Sequence, residues 1–274
     1  MIKAAVLGSP ISHSLSPLLH NRAYEILGMN GNYSAIEVRS GELSSFLQSH
    51  SPQDWRGFSL TMPLKEEVIS LGFGLDEIAR RSRSANTLCA DGNTFRALST
   101  DYLAFETLLE LSSEARVAVI GAGGTARSAL AALEEKVSTV DLFLRDPAKA
   151  TDLNDVAPGI RVKANSFVEL TANRFADYDW VISTVPALVT DELALLLSRE
   201  GADLSGHTLV EVLYNPWPTE LLIAARSAGA QIIDGLDLLV EQALYQISIF
   251  TERDFDFTEM RTELLKTGLT HLSR

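Results

Sequence analysis

Two stretches of this 274-residue chain carry residue types that could do chemistry in concert. Gly57 to Lys65, G-F-S-L-T-M-P-L-K, ends on a lysine able to give or take a proton. Val117 to Arg127, V-A-V-I-G-A-G-G-T-A-R, has the spacing of a dinucleotide-binding turn. There Gly121 permits the tight turn, Gly123 lets backbone approach a pyrophosphate, and Ala126 stands where a third glycine would pack helix on strand. Amides at the start of a helix from about Gly124, with Thr125 in its first turn, would face the phosphates. A nicotinamide cofactor on one stretch and a proton donor on the other point to an oxidoreductase. Each stretch also has a plainer reading, a ligand-free tight loop for the glycines and a solvated lysine at a helix start for Lys65.

The choice of cofactor turns on the tip of the next strand, about 20 residues past the glycines, where an acid would hold a ribose hydroxyl and a base a 2′-phosphate. The chain there reads F-L-R-D-P-A-K-A, so Arg145 and Lys149 favour NADP over NAD. Asp146, just before Pro147, has the position of a helix cap. Arg145 could equally be a solvated surface charge.

These residues must be held by a scaffold, and its rhythm is legible. After the glycine turn, apolar strand-like runs at Val140 to Leu144, Arg161 to Ala164, Trp180 to Thr184, Thr208 to Val212 and Gln231 to Ile233 alternate with helix-compatible segments. That is the pattern of a doubly wound parallel sheet. Before it, Ile2 to Gly8, Tyr33 to Val38 and Gly57 to Thr61 read as strands between helices near Pro17 to Leu27, Gly41 to Gln48 and Pro63 to Leu71. Asp91-Gly92 predicts a two-residue hairpin turn joining Ala85 to Leu88 with Phe95 to Ser99. That register sets Asn86 opposite about Ala97 and brings Asn86 and Asp101 within roughly 10 to 15 Å. Either residue could instead serve ordinary turn or cap chemistry. Gln242 shares a helical stripe with Leu238, Tyr245 and Ile249, so its amide needs partners, from a ligand or from backbone. The expected fold is α/β, an N-terminal unit over residues 1–104 and a Rossmann-type unit over 105–236, with C-terminal helices over 237–274 returning to the first.

Composition narrows the partners. A formal charge of −13 disfavours nucleic acid and anionic membrane surfaces. The single Cys89 excludes an internal disulfide and fits a reducing cytoplasm. Neither a metal-ligand cluster nor a run approaching the roughly 18 apolar residues of a membrane span is visible. A monomer or homodimer is expected.

The whole chain resembles the shikimate dehydrogenase family. Gly8 to Asn21, G-S-P-I-S-H-S-L-S-P-L-L-H-N, is similar to its substrate-carboxylate signature, which implies that Ser14 and Ser16 bind the carboxylate. Gly57 to Lys65 resembles G-x-N-V-T-x-P-x-K, retaining Thr61 and Lys65 with Ser59 in place of the asparagine. Ala85-Asn86-Thr87 resembles A-N-T, and Ser99-Thr100-Asp101 resembles N-T-D with serine first. Ile182 to Pro186 is similar to I-N-A-T-P, with Ser183 for asparagine, and Val212 to Leu221 to V-Y-x-P-x-x-T-x-L. Gly235 to Gln242 resembles G-x-x-M-L-V-x-Q, with Leu238 for methionine, while Tyr102 and Ala104 replace two frequent glycines.

The resemblance implies NADP-dependent interconversion of 3-dehydroshikimate and shikimate, with Lys65 transferring the proton and Asp101 orienting it. It assigns Ser59, Thr61, Asn86, Tyr214 and Gln242 to substrate, and Thr184, Val185, Leu213 and Gly235, with the glycine turn, to cofactor. An NAD-dependent quinate/shikimate dehydrogenase is the near alternative. A nucleotide-sensing relative without turnover is the distant one, and intact Lys65 and Asp101 count against it.

Overall fold

The opening apolar run forms β1 (Ile2–Gly8), whose alternate side chains enter two layers. Ala5 and Leu7 join Phe58, Leu60, Leu88 and Phe95, while Ile2, Ala4 and Val6 pack with Tyr24, Tyr33 and Phe250. The computed structural model describes residues 1–273 and divides the chain into two units, Met1–Ala104 with the segment from Leu239 onward, and Phe105–Leu238.

In the first unit, β1 lies between β2 (Gly31–Glu37) and β3 (Gly57–Leu60), parallel to both. With β4 (Gly74–Leu75), β5 (Thr87–Asp91) and β6 (Thr94–Leu98) they form a six-stranded sheet in the order β2-β1-β3-β5-β6-β4, β5 running antiparallel to β3 and β6. The helices are α1 (Ser16–Ile26), α2 (Leu43–Gln48), α3 (Leu64–Glu67) with a 3₁₀ turn to Leu71, α4 (Glu77–Ser82) and the start of α5 (Thr100–Leu108). Neither β4 nor α4 is among the elements expected from the sequence. A cap nonetheless marks α4, because Asp76 accepts from the Ala79 amide at 2.5 Å.

The hairpin register differs from the expected one. Asp91 pairs with Thr94, so the loop is Gly92-Asn93, and Leu88 rather than Asn86 faces Ala97. Gly92 occupies the first central position at φ +61, where a two-residue turn with glycine first needs positive φ. The expected turn puts Asp91 at that position instead.

The second unit is a fully parallel sheet in the order β12-β11-β10-β7-β8-β9. Its strands are β7 (Val117–Ile120), β8 (Thr139–Leu144), β9 (Arg161–Ser166), β10 (Trp180–Ser183), β11 (Thr208–Glu211) and β12 (Gln231–Ile233). The intervening helices are α6 (Gly124–Leu133), α7 (Ala172–Phe175), α8 (Asp191–Glu200) and α9 (Glu220–Ser227), with a 3₁₀ stretch at Pro147–Leu153. This is the doubly wound order that places β7 at the topological switch point. β7 is buried throughout, as a central parallel strand covered on both faces should be. Last come α10 (Gly235–Thr251) and α11 (Phe257–Leu272), the latter packed on α1 with Arg22 and Glu263 3.5 Å apart. Among the described residues no helix is long and apolar enough to cross a membrane, and no His, Cys, Asp and Glu cluster could hold a metal ion.

Candidate active site

Strand pairing gathers the reactive residues of the first unit at one sheet edge. β1 and β3 end side by side, Leu7 against Leu60, so the opening loop and the lysine segment leave together. The Thr61 amide donates to Leu7 O at 2.9 Å and the Ser9 amide to Met62 O at 3.0 Å. A Cβ on Gly8 would stand 2.3 Å from Thr61 Cγ2 and 2.9 Å from Met62 O, so the two segments touch only because residue 8 has no side chain. On the other side of β3, the Leu60 amide donates to Asn86 O at 2.7 Å and the Ala85 amide to Lys65 O at 2.8 Å.

Asn86 is the hub of this edge. Its Oδ1 accepts from the Thr100 amide at 2.7 Å and the Asp101 amide at 3.4 Å, which anchors the start of α5. Its Nδ2 donates to Thr100 Oγ1 at 2.9 Å and to Asp101 Oδ1 at 2.8 Å. The other carboxylate oxygen, Oδ2, accepts from Lys65 Nζ at 2.6 Å, a charge-assisted contact between side chains 17% and 6% exposed. Asn86 and Asp101 therefore meet directly. An ammonium held this way has its remaining protons aimed, which favours transfer to a bound oxygen over a freely rotating donor. Gln242 takes the backbone option, its Nε2 donating to Leu239 O at 2.6 Å, and its Oε1 also accepts weakly from the Asn86 side chain, Nδ2 at 3.4 Å.

In the opening loop, Ser14 Oγ accepts from the Ser16 amide at 3.3 Å, and Ser16 begins α1 buried while Ser14 is half-buried. Thr61 is half-buried. The two histidines of this segment diverge: His13 is exposed, and His20 is buried and stacked on Tyr33 with ring centroids 3.9 Å apart. Burial pushes the His20 imidazole down to about 3, against a smaller opposing contribution from Gln246, so it is neutral at physiological pH. Unfolding frees it to take a proton below about pH 6.5, so the wild type should lose stability as pH falls from 6.5 towards 3, by on the order of 5 kcal/mol at full extent. Chemical denaturation across that range should show a shallower slope for His20→Leu. An unchanged slope would exclude His20 as the source.

The second unit carries the glycine turn. Ile120 pairs with Phe143 and with Ser183, so three strand ends lie together. Gly121 turns at φ +113, and a Cβ there would stand 2.4 Å from Thr184 Oγ1 and 3.3 Å from Val185 Cγ1. Thr184 is fixed by donating from Oγ1 to Ile120 O at 2.8 Å. Gly123 is exposed, has nothing within 4 Å of a Cβ position, and leaves α6 without a side-chain cap. Backbone and helix start together make a cradle that fits a pyrophosphate, with Gly124, Thr125 and Ala126 as its first turn. Arg145 and Lys149 stand exposed at the tip of β8 and on the 3₁₀ stretch beyond it. Asp146 Oδ1 accepts from the Ala148 amide at 3.1 Å and so serves as a cap. Leu213 and Gly235 meet backbone to backbone, since a Cβ on Gly235 would stand 2.3 Å from Leu213 O. Tyr214, half-buried after β11, belongs to this unit.

Residues 6–88 match the model of the shikimate dehydrogenase substrate binding domain. The shikimate dehydrogenase (NADP(+)) of Halothermothrix orenii is 31% identical over 263 residues, 90% of this chain and 89% of that protein. The chain belongs to the shikimate dehydrogenase family. The crystal structure of the Mycobacterium tuberculosis shikimate dehydrogenase superposes with a TM-score of 0.83 at 33% identity, over 97% of this chain and 99% of that one. A Thermus thermophilus shikimate 5-dehydrogenase in complex with NADP(H) and shikimate gives 0.80 at 25% identity, over 98% and 100%.

Within the shikimate dehydrogenase pattern, each serine at an asparagine position has a definite partner. Ser99 Oγ accepts from the Tyr102 amide at 3.4 Å near the start of α5. Ser183 Oγ donates to Glu211 Oε1 at 3.2 Å, and Thr219 Oγ1 donates to Oε2 of the same carboxylate. Burial pushes the Glu211 carboxyl up, which these two hydroxyls partly offset. Ser59 Oγ donates to Gln246 Oε1 at 2.7 Å. Sequence reasoning missed Gln246, Thr87, Glu211 and Thr219. Three of them carried a signal: Gln246 lies one helical turn beyond Gln242 on the same stripe, and Thr87 and Thr219 fall on the threonines of the A-N-T and V-Y-x-P-x-x-T-x-L resemblances.

Proposed function

We propose that this chain is an NADP-dependent shikimate dehydrogenase, interconverting 3-dehydroshikimate and shikimate on the shikimate pathway to aromatic amino acids. The observation that carries the mechanism is the Lys65 Nζ to Asp101 Oδ2 contact of 2.6 Å in a member of this family. Bound NADPH supplies the hydride that reduces the ketone carbon. The ketone oxygen gains alkoxide character as the hydride arrives, and Lys65 gives it a proton, so ketone, hydride and proton become the alcohol. In reverse, the neutral amine takes the hydroxyl proton. Asp101, held by Asn86, aims the ammonium and binds a substrate hydroxyl.

Ser14 and Ser16 bind the substrate carboxylate, and Thr61, Asn86, Gln242 and Tyr214 its hydroxyls. Gly121, Gly123, Gly124, Thr125 and Ala126 hold the pyrophosphate, Arg145 and Lys149 the 2′-phosphate, and Thr184, Val185, Leu213 and Gly235 the nicotinamide end. The reading places the enzyme in the cytoplasm as a monomer or homodimer acting on free small molecules. Absorbance of the reduced nicotinamide should be followed with shikimate and quinate, each with NADP and NAD. Shikimate with NADP should give the highest kcat/KM. Faster turnover of quinate with NAD would favour the quinate/shikimate alternative, and no turnover with any pair would exclude a dehydrogenase acting on these acids.

A further inference from the structure

Behind the Asn86 hub runs a second, fully interior chain of hydrogen bonds that the mechanism above does not use. Tyr33 OH donates to Ser59 Oγ at 2.5 Å, Ser59 Oγ to Gln246 Oε1 at 2.7 Å, and Gln246 Nε2 to Thr87 Oγ1 at 2.9 Å. Gln246 Nε2 also lies 3.3 Å from Thr100 Oγ1 and 3.4 Å from Asn86 O. Every link is buried, Tyr33 at 1%, Ser59 at 5%, and Gln246, Thr87 and Thr100 at 0% exposure. A serine hydroxyl has one proton, and that of Ser59 is given to Gln246, so in this arrangement it has none for a ligand.

We infer that Gln246 is a positioning residue for the Lys65–Asp101 pair, and that Ser59 serves Gln246 rather than the substrate. Thr100 Oγ1 accepts from Asn86 Nδ2, and Thr87 Oγ1 lies 3.3 Å from Asn86 Oδ1. Donation from Gln246 fills a lone pair on each hydroxyl and leaves their two protons for the single 3.1 Å bond between them and for Asn86 Oδ1. The second Asn86 Nδ2 proton is thereby directed at Asp101 Oδ1. Stacking on His20 holds the Tyr33 ring at the outer end of the chain, with ring planes 13° apart. At the position of the family's asparagine, the short serine leaves this chain's amide to be supplied from α10.

The inference rests on shikimate turnover by the wild type, and wild-type activity tests that premise separately. Gln246→Met, close in size but unable to bridge Ser59 to Thr87, should lower kcat for shikimate oxidation about tenfold, the rate equivalent of one net hydrogen bond. KM for shikimate should stay within about threefold, because no substrate contact is removed. The kinetic isotope effect with shikimate deuterated at the hydride-donating carbon should rise, since a misaimed proton acceptor slows the chemical step. Ser59→Ala breaks the chain one link out and should show the same split at smaller size, which keeps the test available if Gln246→Met does not fold. Unchanged kcat in active wild-type background, or a fall in kcat that only tracks the fraction of active protein with an unaltered isotope effect, would overturn the role of Gln246. A raised KM with kcat retained in Ser59→Ala would make Ser59 a substrate contact and overturn its part.

Discussion

Lys65→Ala is expected to lower turnover about 10²- to 10⁴-fold, the usual contribution of a positioned general acid or base, while KM for shikimate changes far less. The size follows from the geometry. Lys65 is the cation bonded to Asp101 Oδ2, and the group on the other oxygen of that carboxylate is the Asn86 amide, which is no acid and does not replace the amine as a proton donor. The substitution also leaves a carboxylate that is 6% exposed without its counter-charge, and thermal unfolding should be measured beside kcat to separate lost chemistry from lost fold. A folded variant that turns over at near wild-type rate would remove Lys65 from the mechanism.

Arg145→Ala is expected to weaken NADP binding about tenfold to a hundredfold, the range for one or two charge-assisted hydrogen bonds, and to leave NAD binding nearly unchanged. A guanidinium presents planar donors that match a phosphate and gains nothing comparable from a bare ribose hydroxyl. Lys149, exposed nearby on the same tip, should retain part of the preference, and the loss should shrink at high salt because Arg145 is exposed. Asp146 cannot easily compensate, since it is already engaged with the Ala148 amide. Dissociation constants of both cofactors for both proteins check this. A wild type that prefers NAD, or a variant that loses both equally, would show that Arg145 does not read the 2′-phosphate.

Lys65, Asp101 and the glycine turn could be found in the sequence because each sits in a short motif whose chemistry depends on neighbours a few residues away. The parallel sheet of the second unit was legible for a similar reason: strands buried on both faces are continuous apolar runs, and β7, V-A-V-I, is one of them. The hairpin shows where local reading stops. Asp91-Gly92 and Gly92-Asn93 are both acceptable turn pairs by residue type, and only the pairing of β5 with its neighbours selects the second. The distance between Asn86 and Asp101 depended on that choice, and the folded chain resolves it to a 2.8 Å bond.

By itself, then, the sequence offered the candidate reactive groups and the glycine turn, through residue chemistry and the family resemblance, and determined the α/β rhythm, which follows from periodicities within single elements. Tertiary structure alone decided which polar side chains share protons. Ser59 meets Tyr33 across 26 positions and Gln246 across 187, and no local spacing encodes such encounters. They arise because β1 carries β2 and β3 on its two edges while α10 brings Gln246 against the same interior. A buried hydroxyl must then bond to whatever the packing presents. That is why the same serine reads as a shortened substrate contact in the sequence and stands in the fold as a link between a phenol and an amide.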